Sequence, residues 1–368
     1  MEEMKILCVI DNLSSGGSQR QLVSLASGFC DRGHEVAVLT YHHIPFFDTE
    51  LEQKGIAVHC EQEASYLRRI LKIRRFIRSG RYDSVVSFLE GPNFISEVSG
   101  LPFRKWKLIV GERSANPNIR KSPRKRMYRF FHLFASYIVS NSEANLKLVR
   151  SVNPLLTWAR CRTIYNIVDT DLWKPSPQYV PLKNGRLKLV VVASHQYLKN
   201  LGGLVEALSI MEKGDRDRLE IEWYGDRLTP PYYSDSYPRA LEKIKERDLE
   251  GFITFYPATK EILPRIQDAD AAGLFSLYEG LPNSLCEAMA CGKPVICPAV
   301  SDMPLLLDYD PGLLFNPADP VSIRASLLYL LSFTVGNLVS TGARNREIAI
   351  ARFNGEAQVD KYLQLMQE

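Results

Sequence analysis

The stretch AAGLFSLYEGLPNSLCEAMACGKPVIC, residues 271–297, decides the fold. Its apolar start, Ala271–Phe275, is typical of a buried strand, and the chain then turns through Glu-Gly-Leu-Pro-Asn into a helix near Ser284. A second apolar strand follows at Pro294–Cys297. Strand, turn, helix and strand in this order form the unit from which parallel sheets are built, because parallel neighbours need a crossover connection.

The same alternation of short apolar runs and longer segments of helical period continues along the whole chain. In the first half we predict strands near Lys5–Ile10, Glu35–Thr40, Ser84–Phe88, Lys107–Val110 and Tyr137–Ser140, with helices such as Gly17–Arg32 and Tyr66–Ser79. The second half repeats the pattern with strands at Leu187–Val192, Leu219–Tyr224 and near Phe252–Phe255, and helices at Leu201–Glu212 and Arg239–Arg247. The alternation predicts an α/β protein with two doubly wound, Rossmann-like domains.

The length of the chain and a cluster of residues that interrupt regular structure predict the domain boundaries. A chain of 368 residues is long enough for two domains. Three prolines and a glycine within Asp171–Gly185 interrupt regular structure. We therefore expect an N-terminal domain at 1–175, a linker at 176–185 that acts as a hinge, a C-terminal domain at 186–350, and a final helix at 351–368 that can cross back to the first domain.

Composition excludes several classes of protein. Hydrophobic residues make up 45% and charged residues 24% of the chain, which are ordinary globular values. No apolar run approaches the roughly 18 residues of a membrane-spanning helix, and the acidic N-terminus does not resemble a signal peptide. The seven cysteines lack C-x-x-C spacing, which favours reduced thiols over a disulfide framework or a zinc site. We expect a cytoplasmic protein.

Two carboxylates flank the helix start within residues 271–297. Glu279 lies before the helix and Glu287 lies about one turn into it. Pro282 and Asn283 suit the start of a helix, with proline in the first turn and asparagine as the cap, and a helix N-terminus beside a glycine turn binds anions. Carboxylates bind hydroxyls, so the arrangement suits a sugar nucleotide with its diphosphate between two hydroxyl-bearing ends.

Other candidate residues follow the predicted strands. Gly16 and Gly17 stand at the first strand-to-helix turn, where the absence of a Cβ lets the backbone approach a ligand. Lys199 follows the strand that opens the second domain, where an ammonium stabilises a departing diphosphate. Glu112 and Arg113 follow a first-domain strand and either face an acceptor or pair with each other at the surface.

These motifs resemble the retaining glycosyltransferases of family 4, which have the two-domain GT-B fold and a Glu-x7-Glu motif matched by Glu279 and Glu287. The resemblance implies that two Rossmann-like domains face each other across a cleft, with the acceptor on the first and the nucleotide-sugar on the second. It makes Glu279 and Lys199 the catalytic residues. The implied donor-binding residues are Gly16, Gly17, Ser194, His195, Lys199, Glu279, Gly280, Leu281, Pro282, Asn283, Ser284 and Glu287.

The chain departs from the family pattern at two points. Relatives usually have an arginine where this chain has Ser194, so His195 or another basic group has to compensate at the phosphates. The first-domain histidine that many relatives place near the reactive carbon has no clear counterpart. These departures keep a second class open, a sugar-nucleotide- or glycan-binding relative without activity. A GT-B sugar-nucleotide epimerase fits the sequence less well.

The resemblance also implies a mechanism and a set of substrates. The hydroxyl of the acceptor attacks the donor sugar on the face from which the phosphate departs. No protein nucleophile, metal or other cofactor is expected. Uridine is the favoured donor base, with GDP left open. The acceptor is expected to be a glycan or a lipid-linked glycan of a lipopolysaccharide O-antigen or capsule pathway.

Charge is divided unevenly between the two halves. Residues 1–180 carry 26 Lys and Arg against 17 Asp and Glu, and the rest of the chain carries 20 against 25. Most of the positive excess lies in Ser65–Ser79 and Arg120–Phe134, which favours contact with an anionic membrane surface through Arg68–Arg78 and Arg120–Arg129. A solvated surface is the alternative. No nucleic-acid-binding motif is present, so nucleic acid is not expected as a partner.

Overall fold

The computed structural model describes residues 2–226 and 235–368. Contacts within the chain divide it into two compact units. Unit 1 extends from the N-terminus to Ile167 and includes Gly355–Glu368, whereas unit 2 comprises Val168–Asn354. The chain therefore enters unit 2 once and returns to unit 1 with its last helix.

Unit 1 contains a seven-stranded parallel sheet with the strand order β3-β2-β1-β4-β5-β6-β7. Its strands are β1 (Lys5–Val9), β2 (Glu35–Thr40), β3 (Ala57–Cys60), β4 (Ser84–Phe88), β5 (Lys107–Glu112), β6 (Tyr137–Ser140) and β7 (Cys161–Thr163). Its helices are α1 (Gly17–Asp31), α2 (Asp48–Gln53), α3 (Tyr66–Ser79), α4 (Glu90–Ser99), α5 (Pro123–Phe131), α6 (Glu143–Val152) and α15 (Gly355–Gln367).

Strand β1 shows why this sheet is covered on both faces. Its side chains alternate between two hydrophobic cores. Ile6 packs in the core that also takes in α1 and α15, and Leu7 packs in the core that contains Ile73 and Ile77 of α3. A strand buried on both faces has a continuous apolar sequence, as β1 does.

Unit 2 contains a six-stranded parallel sheet with the order β10-β9-β8-β11-β12-β13. Its strands are β8 (Leu187–Val192), β9 (Leu219–Tyr224), β10 (Ile253–Tyr256), β11 (Ala271–Gly273), β12 (Val295–Pro298) and β13 (Leu314–Phe315). Its helices are α7 (Leu201–Ser209), α8 (Lys213–Arg216), α9 (Ser236–Glu246), α10 (Ile262–Asp268), α11 (Asn283–Ala290), α12 (Met303–Leu306), α13 (Pro320–Leu331) and α14 (Val335–Phe353).

The segment expected to be the linker, 176–185, lies in unit 2 and is fastened there by hydrogen bonds. The Tyr179 hydroxyl donates to Oδ1 of Asp270 over 2.8 Å, and the backbone N–H of Leu182 donates to the same oxygen over 2.9 Å. Farther upstream, the Arg346 guanidinium donates to the carbonyl of Thr170. The passages between the two units fall at residues 167–168 and 354–355 instead.

The predicted α/β class with two parallel sheets is confirmed, and the predicted strands lie within two residues of the observed ones. Three strands were not predicted: β3, β7 and β13. They contain four, three and two residues and pair with a single neighbour at the margin of a sheet. Such short edge strands carry too few apolar residues to show a period.

Within the described residues, no single helix has both the length and the apolar character to cross a membrane. One pair of helices, α13 and α14, meets these criteria only when taken together, and it is bent by 110°.

Candidate active site

Each sheet has one point at which the strand order reverses direction. In unit 2 this point lies between β8 and β11, and in unit 1 it lies between β1 and β4. Open α/β sheets bind ligands outside the carboxyl ends of the two strands at this position. The loops that follow these four strands are therefore the first places to look for a site.

In unit 2 the two loops are joined by an ion pair. Lys199, at the end of a short 3-10 turn after β8, donates from Nζ to Oε1 of Glu279 over 2.6 Å. Glu279 lies in the loop after β11. The side chains are 20% and 15% exposed, so both charged groups reach solvent at this edge of the sheet. The pair places one cation and one anion where a charged, hydroxyl-bearing ligand would bind.

Neutral hydrogen bonds hold the same two loops together. The backbone N–H of Leu277 donates to the carbonyl of Leu198 over 2.9 Å. Asn200, which has a φ of 58°, donates from Nδ2 to the carbonyls of Phe275 and Pro317. Asparagine tolerates this left-handed conformation better than most residues. The loops that carry Lys199 and Glu279 are thus fixed to each other by backbone groups as well as by charge.

Helix α11 follows Glu279 directly and carries Glu287 in its second turn. Pro282 occupies the N-cap position and Asn283 is the first helical residue, so the predicted arrangement, with proline in the first turn and asparagine as the cap, is wrong. The proline ring restricts φ, which is −76° here, and a ψ of 120° completes an extended conformation. Ser284 lies in the first turn, and Glu287 is only 6% exposed.

The turn between Glu279 and α11 is held from both sides. The carbonyl of Gly280 accepts a hydrogen bond from the hydroxyl of Ser301, and the Leu281 side chain is buried. The turn is therefore anchored to unit 2 by one polar and one apolar contact. Its backbone leads into the α11 N-terminus, where N–H groups without helical partners favour anions.

His195 lies in an aromatic cluster. Its ring is stacked on Trp223 at 6.0 Å between centroids and lies 4.1 Å from the ring of Tyr237, and the residue is 6% exposed. Ser194 beside it is half-buried, and its backbone approaches Gly225. These contacts favour a packing role for His195 over the phosphate-binding role expected from its place in the sequence.

In unit 1 the glycine loop follows β1 as predicted. Gly16 is the N-cap residue of α1 and Gly17 is its first residue. A Cβ on Gly16 would lie 2.3 Å from Oε1 of Gln19, whose Nε2 donates to Oδ1 of Asp11 over 3.3 Å. The side chain of Gln19 therefore folds back over the loop, and Gly16 leaves room for it.

Glu112 and Arg113 have separate partners. Glu112 is 4% exposed and binds Arg129 and His132, both at 2.9 Å. Arg113 donates to Oδ1 of Asn166 over 2.7 Å, and its guanidinium lies over the ring of Phe88. The surface ion pair between Glu112 and Arg113 that the sequence allows is therefore absent from the described contacts. Arg113, half-buried, remains an acceptor-side candidate, whereas Glu112 is enclosed.

Four charged side chains form a buried chain around Glu112. Glu97 Oε1 and His132 Nδ1 lie 2.6 Å apart, and the other ring nitrogen of His132 contacts Glu112. Burial alone would lower the pKa of His132, but the two carboxylates raise it to about 9. Burial alone would raise the pKa of Glu112, but Arg129 and His132 lower it to about 2. His132 thus lies between two acidic side chains that favour its protonated form, and burial raises the pKa of one of them, Glu97.

Sequence reasoning missed this chain of ion pairs. Its members lie on α4, β5, α5 and the 3-10 turn after α5, and no spacing in the sequence links them. Arg129 was predicted to face a membrane but is 3% exposed. The one available signal was the run of cations itself, since several adjacent cations on a short helix cannot all point to solvent.

No group of three or more His, Cys, Asp or Glu side chains in the described part of the chain is arranged to hold a metal ion.

Models of known protein families match both halves of the chain. Residues 15–172 match the model of "Glycosyltransferase Family 4", and residues 186–332 match that of "Glycosyl transferases group 1". One relative is the GalNAc-alpha-(1->4)-GalNAc-alpha-(1->3)-diNAcBac-PP-undecaprenol alpha-1,4-N-acetyl-D-galactosaminyltransferase of Campylobacter jejuni. The two proteins are 31% identical over 301 residues, which cover 78% of this chain and 77% of the relative. The chain is 29% identical over 134 residues to the O-antigen chain mannosyltransferase B of Escherichia coli, covering 36% of this chain and 34% of that one.

Solved structures give the fold class. The crystal structure of Anabaena HepE in complex with UDP and glucose superposes with a TM-score of 0.85 at 19% identity, covering 99% of this chain and all of the other. A glycosyltransferase from Rickettsia africae superposes with a TM-score of 0.83 at 18% identity, covering 100% of this chain and 98% of the other. The fold is GT-B, that of a large class of sugar-transferring enzymes. The chain belongs to glycosyltransferase family 4 and is a glycosyltransferase.

Proposed function

We propose that this glycosyltransferase transfers a sugar from a UDP-sugar, with retention of the anomeric configuration, to a lipid-linked glycan in the assembly of a lipopolysaccharide O-antigen or capsule. Two relatives support the choice of pathway, since the name of one specifies an undecaprenol-linked glycan and that of the other an O-antigen chain. The structural neighbour solved with UDP and glucose supports the choice of uridine.

The observation that carries the proposal is the Lys199–Glu279 pair at the reversal point of the unit 2 sheet. Glu279 accepts hydrogen bonds from hydroxyls of the donor sugar. Lys199 and the α11 N-terminus stabilise the charge that develops on the diphosphate as it leaves. Glu287, one turn into the helix, accepts hydrogen bonds from the ribose.

The proposed reaction uses no protein nucleophile. The acceptor oxygen forms a bond to the anomeric carbon on the face from which the diphosphate departs, and the bond from that carbon to the phosphate oxygen breaks. The departing phosphate oxygen takes the proton of the acceptor hydroxyl. The enzyme contributes positioning and charge stabilisation, and we propose that it needs no metal or other cofactor.

For the lipid carrier, we propose that an outer face of unit 1 contacts the membrane. Helix α3 presents Leu67 and Leu71 to solvent, at 72% and 64% exposure, beside the exposed cations Arg68 and Arg75. Apolar side chains among cations are typical of a helix that lies on an anionic lipid surface.

Other cations of α3 serve the fold of unit 1. Arg74 and Arg78 donate to the Ser99 carbonyl at the end of α4, and Lys72 pairs with Glu61. Arg69 donates to the Glu63 carbonyl. The proposed membrane surface is therefore narrower than the full basic segment.

Sedimentation with vesicles tests this surface. Arg68→Glu/Arg75→Glu is expected to lose binding to vesicles that contain phosphatidylglycerol, and wild type is expected to lose it as salt is raised. Lys213→Glu/Lys245→Glu, at two exposed sites in unit 2, is the charge-matched control. Equal binding of wild type to neutral and anionic vesicles would exclude an electrostatic surface.

A thermal-shift panel of UDP, GDP and ADP, with and without their sugars, tests the donor. A nucleotide at 100 times its Kd stabilises the folded protein by about 2.7 kcal/mol. We expect UDP to raise the Tm of wild type and to lose this effect in Glu287→Ala. Glu206→Ala, an exposed glutamate of unit 2 paired with Lys243, is the control and should respond as wild type does. Stabilisation by GDP alone would overturn the uridine assignment, and no shift with any nucleotide would overturn donor binding.

A further inference from the structure

The reversal point of the unit 1 sheet lies between β1 and β4, and the first charged side chain after β4 is Glu90. It is the first residue of α4. Leu89 before it has φ 79° and ψ 155°, a conformation that non-glycine residues rarely adopt. Such backbone strain tends to occur at functional sites. The chain thus bends sharply where Glu90 starts the helix.

Glu90 is the accessible end of the buried chain of ion pairs around Glu112. Its Oε1 pairs with Nη1 of Arg129, and its side chain is 34% exposed, against 3% for Arg129 and 4% for Glu112. From the interior outward the charges alternate in the order Glu97, His132, Glu112, Arg129 and Glu90. Every buried member after Glu97 has an oppositely charged neighbour on each side.

The guanidinium of Arg129 fixes the position of this accessible carboxylate. One of its terminal nitrogens binds Glu90 and the other binds Glu112, so its orientation is set from the buried side. Within the part of the chain that the structure describes, no hydrogen bond engages Oε2 of Glu90. A partly exposed carboxylate with one oxygen held by a buried arginine is a preorganised acceptor of hydrogen bonds.

We propose that Glu90 is an acceptor-binding residue, whose free carboxylate oxygen accepts a hydrogen bond from a hydroxyl of the acceptor sugar, and that Arg129, Glu112, His132 and Glu97 position it. This inference rests on the proposed function, because it assumes that the acceptor binds at the carboxyl ends of the strands of the unit 1 sheet. It also moves that role from Glu112, which is enclosed, to the residue that Glu112 helps to hold.

Direct binding of acceptor analogues tests this assignment without a transfer reaction. The probes are octyl α-glycosides of N-acetylgalactosamine, N-acetylglucosamine, galactose, glucose and mannose, measured by calorimetry with wild type and Glu90→Gln. The variant is expected to bind the preferred glycoside about ten- to hundredfold more weakly, as suits the loss of a hydrogen bond to a charged group. Its stabilisation by UDP is expected to equal that of wild type. Glu143→Gln, an exposed glutamate on α6, is the matched control.

Arg129→Lys tests the positioning role, because lysine keeps the charge but cannot bind two carboxylates with a fixed fork. It is expected to weaken glycoside binding while leaving stabilisation by UDP intact. If Arg129→Lys does not fold, Glu90→Gln decides alone.

The outcomes separate this inference from the proposed function. Unchanged glycoside affinity in Glu90→Gln, or no glycoside binding by wild type, would overturn the assignment of Glu90 while UDP stabilisation still supported donor binding. If UDP fails to stabilise the protein but glycoside binding still depends on Glu90, the proposed donor would be overturned. The acceptor-binding role of Glu90 would then still be supported.

Discussion

Lys199 and Glu279 lie 80 residues apart in the chain, and their side chains meet at 2.6 Å across the reversal point of the unit 2 sheet. Neither element alone makes a site. The ammonium comes from the loop after β8 and the carboxylate from the loop after β11, so the parallel pairing of these two strands creates the arrangement. In the proposed reaction the two groups have opposite tasks, with the cation at the diphosphate and the anion at the sugar.

Removing either partner is expected to slow transfer. Lys199→Ala and Glu279→Gln should each lower kcat by about a hundredfold or more, because each removes a charge aimed at the reacting groups. The assay is release of UDP from a UDP-sugar in the presence of a glycoside acceptor.

The matched control for these variants is Glu206→Gln, which breaks the exposed pair with Lys243 in the same unit and should keep wild-type rates. Wild-type turnover in Glu279→Gln would contradict the role assigned to this carboxylate.

Stability should fall at alkaline pH because of His132. The pKa of His132 is raised from 6.5 to about 9, so its stabilising charge is fully present below pH 6.5 and is lost as pH rises through 9. The shift corresponds to roughly 3 kcal/mol. Urea unfolding at pH 6.5 and pH 9.5 is the measurement, with His132→Gln for comparison. The same slope in wild type and His132→Gln would show that His132 is not a buried cation, because the opposing effect of Lys293 is common to both proteins.

Lys293, in unit 2, changes the free energy of unfolding with pH in the direction opposite to His132. It is 2% exposed, its ammonium lies 3.1 Å from the centre of the Tyr179 ring, and burial lowers its pKa to about 8. The unfolded chain holds this proton up to about pH 10.5, so folding is penalised below pH 8 and the penalty disappears between pH 8 and pH 10.5.

Replacement of this buried cation is therefore expected to stabilise the protein. Lys293→Met should raise the free energy of unfolding at pH 7 by about 1–3 kcal/mol, with the gain vanishing above pH 10.5. The test is the difference between variant and wild type in urea unfolding at both pH values. A destabilised variant at pH 7 would mean that the contact of the ammonium with Tyr179 outweighs its burial. The same variant also serves as the background in which to isolate the effect of His132.

Close backbone packing gives a prediction with an internal control. A Cβ on Gly342 of α14 would lie 2.0 Å from the carbonyl oxygen of Gly292, a backbone atom that cannot move aside. Gly342→Ala should therefore lower the free energy of unfolding by at least about 1 kcal/mol. Gly336→Ala, in the same helix, meets no atom closer than 3.6 Å and should be neutral or stabilising by up to about 1 kcal/mol. Equal Tm values for the two variants would contradict this packing.

The sequence was sufficient to locate the loops that carry the candidate donor residues. Lys199 and Glu279 each lie in the loop after an apolar strand, and Glu287 lies in the second turn of the helix that follows β11. The topology of parallel sheets brings such loops to one edge. The pairing of Lys199 with Glu279 was not predicted. The end of a strand shows where the following loop begins, but it does not show which groups the side chains of that loop contact.

The buried ion pairs of unit 1 lay beyond what sequence patterns reveal. Arg129 belongs to a run of cations that looks like a solvated or membrane-facing surface, and its acidic partners Glu90 and Glu112 are distant in the chain. Only the packing of α4, α5 and β5 together shows which cation points inward. The aromatic surroundings of His195 were hidden for a related reason, since its neighbours Trp223 and Tyr237 come from other elements, and its role in phosphate binding stays a prediction.

The most direct test of the central claim is a proton NMR time course of transfer. UDP-N-acetylgalactosamine, UDP-N-acetylglucosamine, UDP-galactose and UDP-glucose, all α-linked donors, are each incubated with octyl glycosides and either wild type or Glu279→Gln. We predict that one donor releases UDP and yields an α-glycoside with wild type, and that Glu279→Gln forms this product at least about a hundredfold more slowly. A β-linked product, or equal rates for the two proteins, would contradict the proposed reaction.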